Sequence, residues 1–168
     1  MRWAHRGNDN PEWNKFVAGN AQGGGALVFG RVTYEMMAGY WPSAMARQQM
    51  PEVAERMNAL PKIVFSRTLK KADWSNTTVV KNLIAGAKKL KSGRGPDMAI
   101  LGSGSIVAQL VAAGLLDGLQ LVVNPLVLGR GKPLFAGIRH EVALKLTASR
   151  TFGNGKVLLD YAPTIASR

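Results

Sequence analysis

Two stretches of this chain place an apolar run before glycines and then a helical pattern. Residues 98–111 read MAILGSGSIVAQLV, and residues 26–37 read ALVFGRVTYEMM. This pattern predicts a strand that passes through a tight turn into a helix. The first N–H groups of a helix lack partners within it and carry the positive end of its dipole, and glycines let a ligand approach them. Such residues favour binding of an anion such as a phosphate.

The glycine spacing differs from the Rossmann fingerprint. Gly102 and Gly104 are present, but Val107 occupies the third glycine position, and no acidic residue closes a second strand about 20 residues further on. Taken alone, this turn is equally compatible with a strand-to-helix connection that binds nothing. Two such junctions in one domain favour a shared ligand, because parallel strands present their carboxyl ends at one edge of a sheet.

A third candidate for anion binding follows the apolar run of residues 62–65. Ser66, Arg67 and Thr68 offer a guanidinium group and two hydroxyl groups, which suit a phosphate; the alternative is an exposed loop. The formal net charge of +12 also favours acidic ligands. Because the charges are scattered and are not interleaved with aromatic residues, they indicate a solvated surface, and nucleic acid is disfavoured as a partner.

The composition argues against several other kinds of chemistry. The chain has no cysteine, and its two histidines, His5 and His140, lie far apart in the sequence, so we expect neither disulfides nor a metal site. No serine lies in a nucleophile elbow, which disfavours covalent hydrolysis. The longest apolar stretch, residues 106–116, is interrupted and too short to span a bilayer, and residues 1–10 lack a leader pattern. We therefore expect a cytoplasmic protein.

The hydrophobic pattern also predicts the elements that position these residues in one α/β domain over residues 1–168. Strands are expected at residues 26–29, 62–65, 77–81 and 98–101. Helices are expected to begin near Pro11, Thr33, Pro51, Leu83 and Ile106. Later β-type runs occupy residues 119–123, 126–128, 142–152 and 157–161, with a hairpin turn at 153–155. We expect residues 1–10 to be irregular and residues 162–168 to form a frayed tail.

Five motifs occur along the chain in the order FGRVTYEMMAGYWP, LPKIVFSRTL, ILGSGSIVAQL, NPLVLGRGKPLF and TFGNGKVLLDY. In this order and spacing they resemble the dihydrofolate reductase superfamily, in the branch similar to the reductase domain of bacterial riboflavin biosynthesis. The resemblance extends from Pro11 to Tyr161. It implies a three-layer α/β fold with a mixed, mostly parallel sheet, an antiparallel C-terminal hairpin and helices on both faces. It also implies NADPH as the hydride donor.

The resemblance assigns expected roles to individual residues. Two segments match turns that hold the cofactor's pyrophosphate: Gly30, Arg31, Val32 and Thr33, and then Gly102, Ser103, Gly104, Ser105, Ile106 and Val107. The second of these would also lie under the nicotinamide ribose. Ser66, Arg67 and Thr68 match the segment near the adenosine 2′-phosphate. The substrate pocket would draw on the helix from Pro11 and on Asn124, Pro125, Gly129, Gly131 and Phe135.

The proton donor and the first strand are the points at which this chain departs from the family. Asp9 and Glu12 are the acids near the start of the first helix, where a family carboxylate donates a proton; stabilisation of the helix dipole is the alternative. Family members ordinarily begin with a core strand and a mobile loop, and we expect no counterpart here. Open strand edges would then favour a homodimer or a strand from another source.

The function that the resemblance implies is reduction of a small pteridine- or pyrimidine-like heterocycle by NADPH. The alternative is a non-catalytic ligand-binding or structural protein that keeps the same fold.

Overall fold

Residues 10–22 and 25–164 of the 168-residue chain are described by the computed structural model, as alternating helices and strands joined by loops. The elements in chain order are α1 (Pro11–Gln22), β1 (Ala26–Gly30), α2 (Arg31–Tyr40), α3 (Ala44–Gln49), α4 (Pro51–Ala59), β2 (Lys62–Phe65), β3 (Thr77–Val80), α5 (Leu83–Ser92), β4 (Met98–Ile100), α6 (Gly104–Ala112), β5 (Leu119–Val123), β6 (Leu144–Thr151) and β7 (Val157–Pro163). No helix in these two ranges has the length and hydropathy needed to cross a bilayer.

The first four strands form a parallel sheet in the order β3-β2-β1-β4. In the register of this sheet, Leu27 of β1 lies between Lys62 of β2 and Ala99 of β4. The two central strands are almost entirely apolar, as expected of parallel strands that are covered on both faces. Because all four strands run in one direction, their carboxyl ends lie along a single edge of the sheet.

Helices cover both faces of the parallel sheet. On one face, Leu27 and Phe29 pack with residues of α2 and α4. On the other face, Val28 and Ile63 pack with residues of α5 and α6, among them Ile106. The alternation of side chains along β1 therefore divides the core into two apolar layers, one on each side of the sheet. The α/β fold with helices on both faces is confirmed.

The last three strands form a separate antiparallel sheet in the order β5-β7-β6. Strands β6 and β7 make the expected hairpin, which contains a register shift between Leu146 and Ala148. Helix α1 packs on one face of this sheet, where Trp13 meets Phe152 edge to face at a centroid distance of 5.1 Å. On the other face, Leu119 packs with residues of α6. Helix α6 thus contacts both sheets.

The sequence pattern misplaced some element boundaries. Residues 126–128 are irregular, because β5 ends at Val123 and the chain turns at Asn124 and Pro125. The expected frayed tail is wrong in its first two residues: Ala162 and Pro163 continue β7 and pair with β6, which is long enough to hold them. Residues 1–9 and 165–168, also expected to be irregular, lie outside the described residues.

Helix starts differ from expectation in two places. The helix expected near Thr33 begins instead at Arg31, with Gly30 as the N-cap of α2, because β1 passes into the helix without a loop. The pattern also missed the short helix α3. Its N-cap is Ser43, whose side chain accepts a hydrogen bond from the N–H of Ala46 at 3.2 Å.

Candidate anion-binding cleft

A cleft of about 850 Å³ lies at the carboxyl edge of the parallel sheet. Its walls come from the chain that follows each of the four strands: residues 30–33, 65–67 and 81–84, together with residues 103, 105, 106 and 109. Open parallel α/β sheets bind their ligands at this edge, where the loops after the strands converge. All three strand ends that the sequence pattern singled out therefore meet at one site.

Two helices of nine residues or more begin at this cleft with open first turns. Helix α2 follows the N-cap Gly30, and α6 follows the N-cap Ser103. Neither cap residue supplies a side-chain hydrogen bond to the first turn of its helix. Because the first N–H groups of a helix have no acceptor within it, both helices offer backbone donors and a positive dipole end to the cleft.

Cationic side chains add to this positive potential. Arg31, Arg67 and Lys81 line the cleft, and no acidic side chain of the described residues does. Nη1 of Arg31 donates to both carboxylate oxygens of Glu35, at 2.9 and 2.8 Å. The pair uses only one guanidinium nitrogen, so the rest of that fork can bind a ligand anion. Guanidinium groups and helix N-termini together suit a phosphate-bearing ligand.

Ser66 organises the turn that presents Arg67. Its hydroxyl oxygen accepts from the N–H groups of Thr68 at 3.2 Å and Leu69 at 2.9 Å. Ser66 is 8% exposed, whereas Arg67 is exposed. Thr68 lies 3.5 Å from the Ser66 hydroxyl, measured between the two oxygens, and is not part of the cleft wall. Within this segment, Arg67 is therefore the group best placed to meet an anion.

The glycine turn after β4 contacts the turn after β1 directly. Gly102 and Ser103 are both left-handed, with φ of 62° and 51°. The hydroxyl oxygen of Ser103 accepts from the N–H of Gly30 at 2.9 Å. A Cβ on Gly102 would lie 3.5 Å from Cγ2 of Thr33, and one on Gly30 would lie 3.2 Å from Cδ1 of Ile106. The turn after β1 and the turn after β4 thus pack against each other at the base of the cleft.

A second groove, of about 680 Å³, lies between the two sheets on the other side of this turn. Strands β4 and β5 border it, and each is the outermost strand of its sheet. The edges that face the groove have no strand partner among the described residues. Met98 is accordingly 37% exposed. Gly102 and Val107 line this groove and not the cleft, whereas Ser103 lines the cleft.

Comparison with known proteins decides the family. The sequence model of the RibD C-terminal domain matches residues 2–158. The chain belongs to the RibD C-terminal domain family. It is 30% identical over 135 residues to the uncharacterised protein YyaP of Bacillus subtilis (strain 168), covering 80% of this chain and 72% of YyaP. The expected resemblance to the reductase branch of riboflavin biosynthesis is confirmed.

Two solved structures share the fold of this chain. A putative riboflavin biosynthesis protein from Shewanella sp. PV-4 matches with a TM-score of 0.71 and 18% identity, covering 98% of this chain and 88% of that one. A pyrimidine reductase-like protein from Corynebacterium diphtheriae matches with a TM-score of 0.56 and 17% identity, over 83% and 76% of the two chains. At these identities the likeness shows the fold alone.

The predicted cofactor residues of the RibD-like fold divide between the two cavities. The cleft is lined by Gly30, Arg31, Val32, Thr33, Ser66, Arg67, Ser103, Ser105 and Ile106. The groove takes Gly102 and Val107. Gly104, at the start of α6, packs against the chain after β5, since a Cβ there would lie 3.2 Å from Cδ1 of Leu134. The glycine turn therefore forms the partition between cleft and groove.

The predicted substrate residues lie in the irregular segment between β5 and β6. This segment contains Asn124, Pro125, Gly129, Gly131 and Phe135. None of the five lines the cleft or the groove; the segment reaches the groove through the neighbouring Leu134. Pro125 instead packs beside the hairpin turn, where a Cβ on Gly155 would lie 3.3 Å from its Cγ. Their role in substrate binding stays a prediction.

Of the two predicted proton donors, Asp9 lies outside the described residues. Glu12 lies on α1, and its Oε1 accepts from Nη2 of Arg150 at 2.6 Å and from Nε at 3.2 Å. This hydrogen bond to Arg150 holds the pKa of Glu12 below its usual value. A carboxyl group with a lowered pKa is ionised at neutral pH and is a poor proton donor. The geometry of Glu12 fits an ion pair that links α1 to the β6–β7 hairpin.

The sequence pattern did not single out the fourth junction of the cleft, the one that follows β3. Lys81 and Asn82 follow β3 and line the cleft, together with Gln109 of α6. The side chain of Asn82 accepts from the N–H of Ala85 at 3.0 Å and so caps α5. A usable signal was present, because a fourth parallel strand must end at the same edge as the other three.

Proposed function

We propose that this chain is a cytoplasmic, NADPH-dependent reductase of a small pyrimidine- or pteridine-like heterocycle. The observation that supports this most is the cleft itself, in which two helix N-termini and three cationic side chains converge at the carboxyl edge of a parallel sheet. Membership of the RibD C-terminal domain family supports the reductase assignment.

The residues present fit a dinucleotide with several phosphates. The N–H groups of residues 31–33 and 104–105 would hold the pyrophosphate, since helix N-termini bind anions through unpaired amides. Arg67 and Lys81, which lie at the neighbouring strand ends, would hold the 2′-phosphate of the adenosine. NADPH supplies the hydride when it is bound. The protein's part is to orient the cofactor along the cleft.

The substrate would meet the cofactor across the glycine turn. This turn separates the cleft from the groove, and Leu134 brings the chain that carries the predicted substrate residues to the same place. A heterocycle bound in the groove beside Leu134 would lie next to the nicotinamide end of the cleft. Of the predicted substrate residues, Phe135 directly follows Leu134, whereas Asn124, Pro125, Gly129 and Gly131 lie elsewhere in the same segment. Asp9 stays the candidate proton donor, because the carboxylate of Glu12 is already engaged by Arg150.

Titration of NADPH, followed by its fluorescence, tests this function. We expect saturable binding, with NADH bound more weakly because it lacks the 2′-phosphate that Arg67 would meet. Oxidation of NADPH in the presence of pyrimidine or pteridine substrates then identifies the acceptor. Absence of saturable binding to a folded sample would rule out the reductase. Binding without oxidation of any acceptor tested would support the alternative, a ligand-binding protein with this fold.

We also propose that the chain forms a homodimer. Two strand edges that have no strand partner within residues 10–22 and 25–164 border the groove, and the loop after β5 exposes apolar side chains, with Val127 96% and Leu128 49% exposed. Such edges and patches are usually covered by another surface. Sedimentation velocity over a range of concentrations should give a species of twice the chain mass. A monomer at all concentrations would contradict the dimer and would leave the reductase proposal unaffected.

A further inference from the structure

Ser103 connects the two glycine-containing turns of the cleft, the one after β1 and the one after β4. It follows β4, it is the N-cap of α6, and its side chain reaches across to the end of β1. Its hydroxyl accepts from the N–H of Gly30 at 2.9 Å and lies 3.3 Å from the carbonyl oxygen of Leu101, to which it donates. One hydroxyl therefore joins two strands that each deliver a helix to the cleft.

The backbone of Ser103 is unusual for a residue with a side chain. Its φ of 51° and ψ of 45° lie in the left-handed region, which disfavours L residues other than asparagine and aspartate. Gly102 before it is also left-handed, with φ of 62°. A glycine at position 103 would adopt this conformation without strain. Serine at this position differs from glycine in the two hydrogen bonds that its hydroxyl contributes.

The hydrogen-bond capacity of the hydroxyl shows what that contribution is. A serine hydroxyl has one hydrogen, and here it is directed to the carbonyl oxygen of Leu101. It has no further hydrogen to donate to a phosphate. Ser105 lines the same cleft, and no partner of its hydroxyl is found within residues 10–22 and 25–164. The two serines of one turn thus differ, since only the hydroxyl of Ser105 is free to contact a ligand.

We propose that Ser103 is a positioning residue, which holds the N-termini of α2 and α6 in fixed relation through its hydrogen bond to Gly30. This proposal rests on the proposed function, since it assumes that one pyrophosphate bridges both helices. Ser103 then acts on ligand affinity through the N–H groups of residues 31–33 and 104–105. It orders the site before the ligand arrives and makes no contact with the ligand itself.

The test compares Ser103→Ala, Ser103→Gly and Ser105→Ala, with Ser92→Ala as the control. Ser92 also donates to a backbone carbonyl, that of Lys89, but it lies at the end of α5 away from the cleft. Affinities are measured for NADPH and, separately, for inorganic pyrophosphate. Hydrogen exchange of the Gly30 amide is followed by NMR, and thermal melting reports on stability.

We expect Ser103→Ala and Ser103→Gly to weaken both ligands by about three- to tenfold, the range that loss of one hydrogen bond predicts. Both should speed exchange of the Gly30 amide and raise the KM for NADPH with little change in kcat. Because glycine relieves the left-handed strain, Ser103→Gly should melt at or above the temperature of Ser103→Ala. A loss of affinity in Ser103→Gly that is as large as in Ser103→Ala, although Ser103→Gly melts at or above the temperature of Ser103→Ala, separates positioning from a purely structural role.

Two results would overturn the positioning role. Unchanged affinities in both Ser103 variants would show that the hydroxyl does not organise the site. Weaker binding without faster Gly30 exchange would show that Ser103 contacts the ligand directly, as we expect for Ser105→Ala. If the wild-type protein binds neither NADPH nor pyrophosphate, the proposed function fails, and the exchange rate of Gly30 still decides whether Ser103 links the two turns.

Discussion

The cleft at the carboxyl edge of the parallel sheet and the groove between the two sheets share the turn at residues 102–104, yet they are built differently. The residues that directly follow each parallel strand form the wall of the cleft. The turn after β4 contacts the turn after β1 through Ser103, Gly30 and Thr33. The groove is bordered by β4 and β5, the outermost strands of their sheets. The cleft is closed by short-range junctions, whereas the groove is bounded by strand edges that have no strand partner in the described part of the chain.

This difference separates the two halves of the proposed reaction. The phosphate-binding half depends on helix N-termini and on residues that directly follow strands, so it is preorganised by the fold itself. The half beside the groove depends on how the edges of β4 and β5 are covered and on the long segment between β5 and β6. Changes to the cleft should therefore alter cofactor affinity and leave assembly unchanged, whereas changes beside the groove should alter assembly or substrate use.

The largest effect is expected from the core beneath the cleft. Phe29 has no exposed surface and packs in the apolar layer with Tyr34 and Trp74. Phe29→Ala should lower the free energy of unfolding by about 3–5 kcal/mol, because it leaves a cavity in a close-packed layer. Leu146→Ala on β6 is the matched control, since Leu146 is 49% exposed and should cost far less. Equal losses in urea melts would show that the two sheets are equally well packed.

The next largest effect is expected in the pH dependence of stability, to which Lys62 contributes. It is 1% exposed, and its Nζ donates to the carbonyl oxygens of Asn58 at 3.0 Å, Leu60 at 2.7 Å and Ser75 at 3.1 Å. Burial lowers the pKa of Lys62 to about 8. Unlike the cations of the cleft, this ammonium group is held by the protein's own carbonyls, at the opposite edge of the sheet.

The sign of the pH dependence follows from that lowered pKa. Between pH 8 and 10.5 the unfolded chain holds a proton on Lys62 that the folded chain has lost, so stability should rise with pH in this window. The rise is at most about 3 kcal/mol, and the carbonyl hydrogen bonds reduce it because they favour the charged form. Lys62→Met should lack this rise in chemical denaturation at several pH values. An identical pH profile in both proteins would show that the pKa is not lowered.

The cleft itself is tested by Arg67→Ala. Loss of one charge-assisted hydrogen bond should weaken NADPH binding by about 10- to 100-fold, with little change for NADH, which lacks the 2′-phosphate. Arg94→Ala is the control, because Arg94 is also exposed but lies outside the cleft. Equal weakening of NADPH and NADH would show that Arg67 meets a part common to both dinucleotides. No weakening of either would remove Arg67 from the site.

Local patterns predicted the cleft better than they predicted the rest of the molecule. The strand ends at Gly30, Phe65 and Ile100 follow from short apolar runs and glycines, which are visible in a few residues of sequence. The role of Ser66 as a turn residue and the hydrogen bond of Ser103 depend on neighbours in space, so only their location could be predicted. Lys81 was missed, although the parallel order of strands places its junction at the same edge.

Long-range pairing explains the weaker predictions near the groove. Glu12 and Arg150 are 138 residues apart, and no local pattern indicates that they meet. The division into two sheets likewise depends on which strand edges pair, a choice that apolar alternation does not encode. Residues 126–128 carry an apolar run typical of a strand but pair with no strand among the residues that the structure describes, so propensity alone was insufficient there.

The smallest effect is expected from Glu12→Gln, which tests whether the acid of α1 belongs to the chemistry. The variant removes an exposed ion pair with Arg150, so we expect only a slight fall in melting temperature at neutral pH. Because the pKa of Glu12 is lowered in the folded protein, its contribution is present above the unfolded pKa and disappears as the solution is acidified through the folded pKa. The wild type and the variant should therefore converge in stability at low pH. A loss of stability with kcat retained would assign Glu12 to the ion pair that links α1 to the β6–β7 hairpin. A fall in kcat with an unchanged melting temperature would instead restore Glu12 as the proton donor.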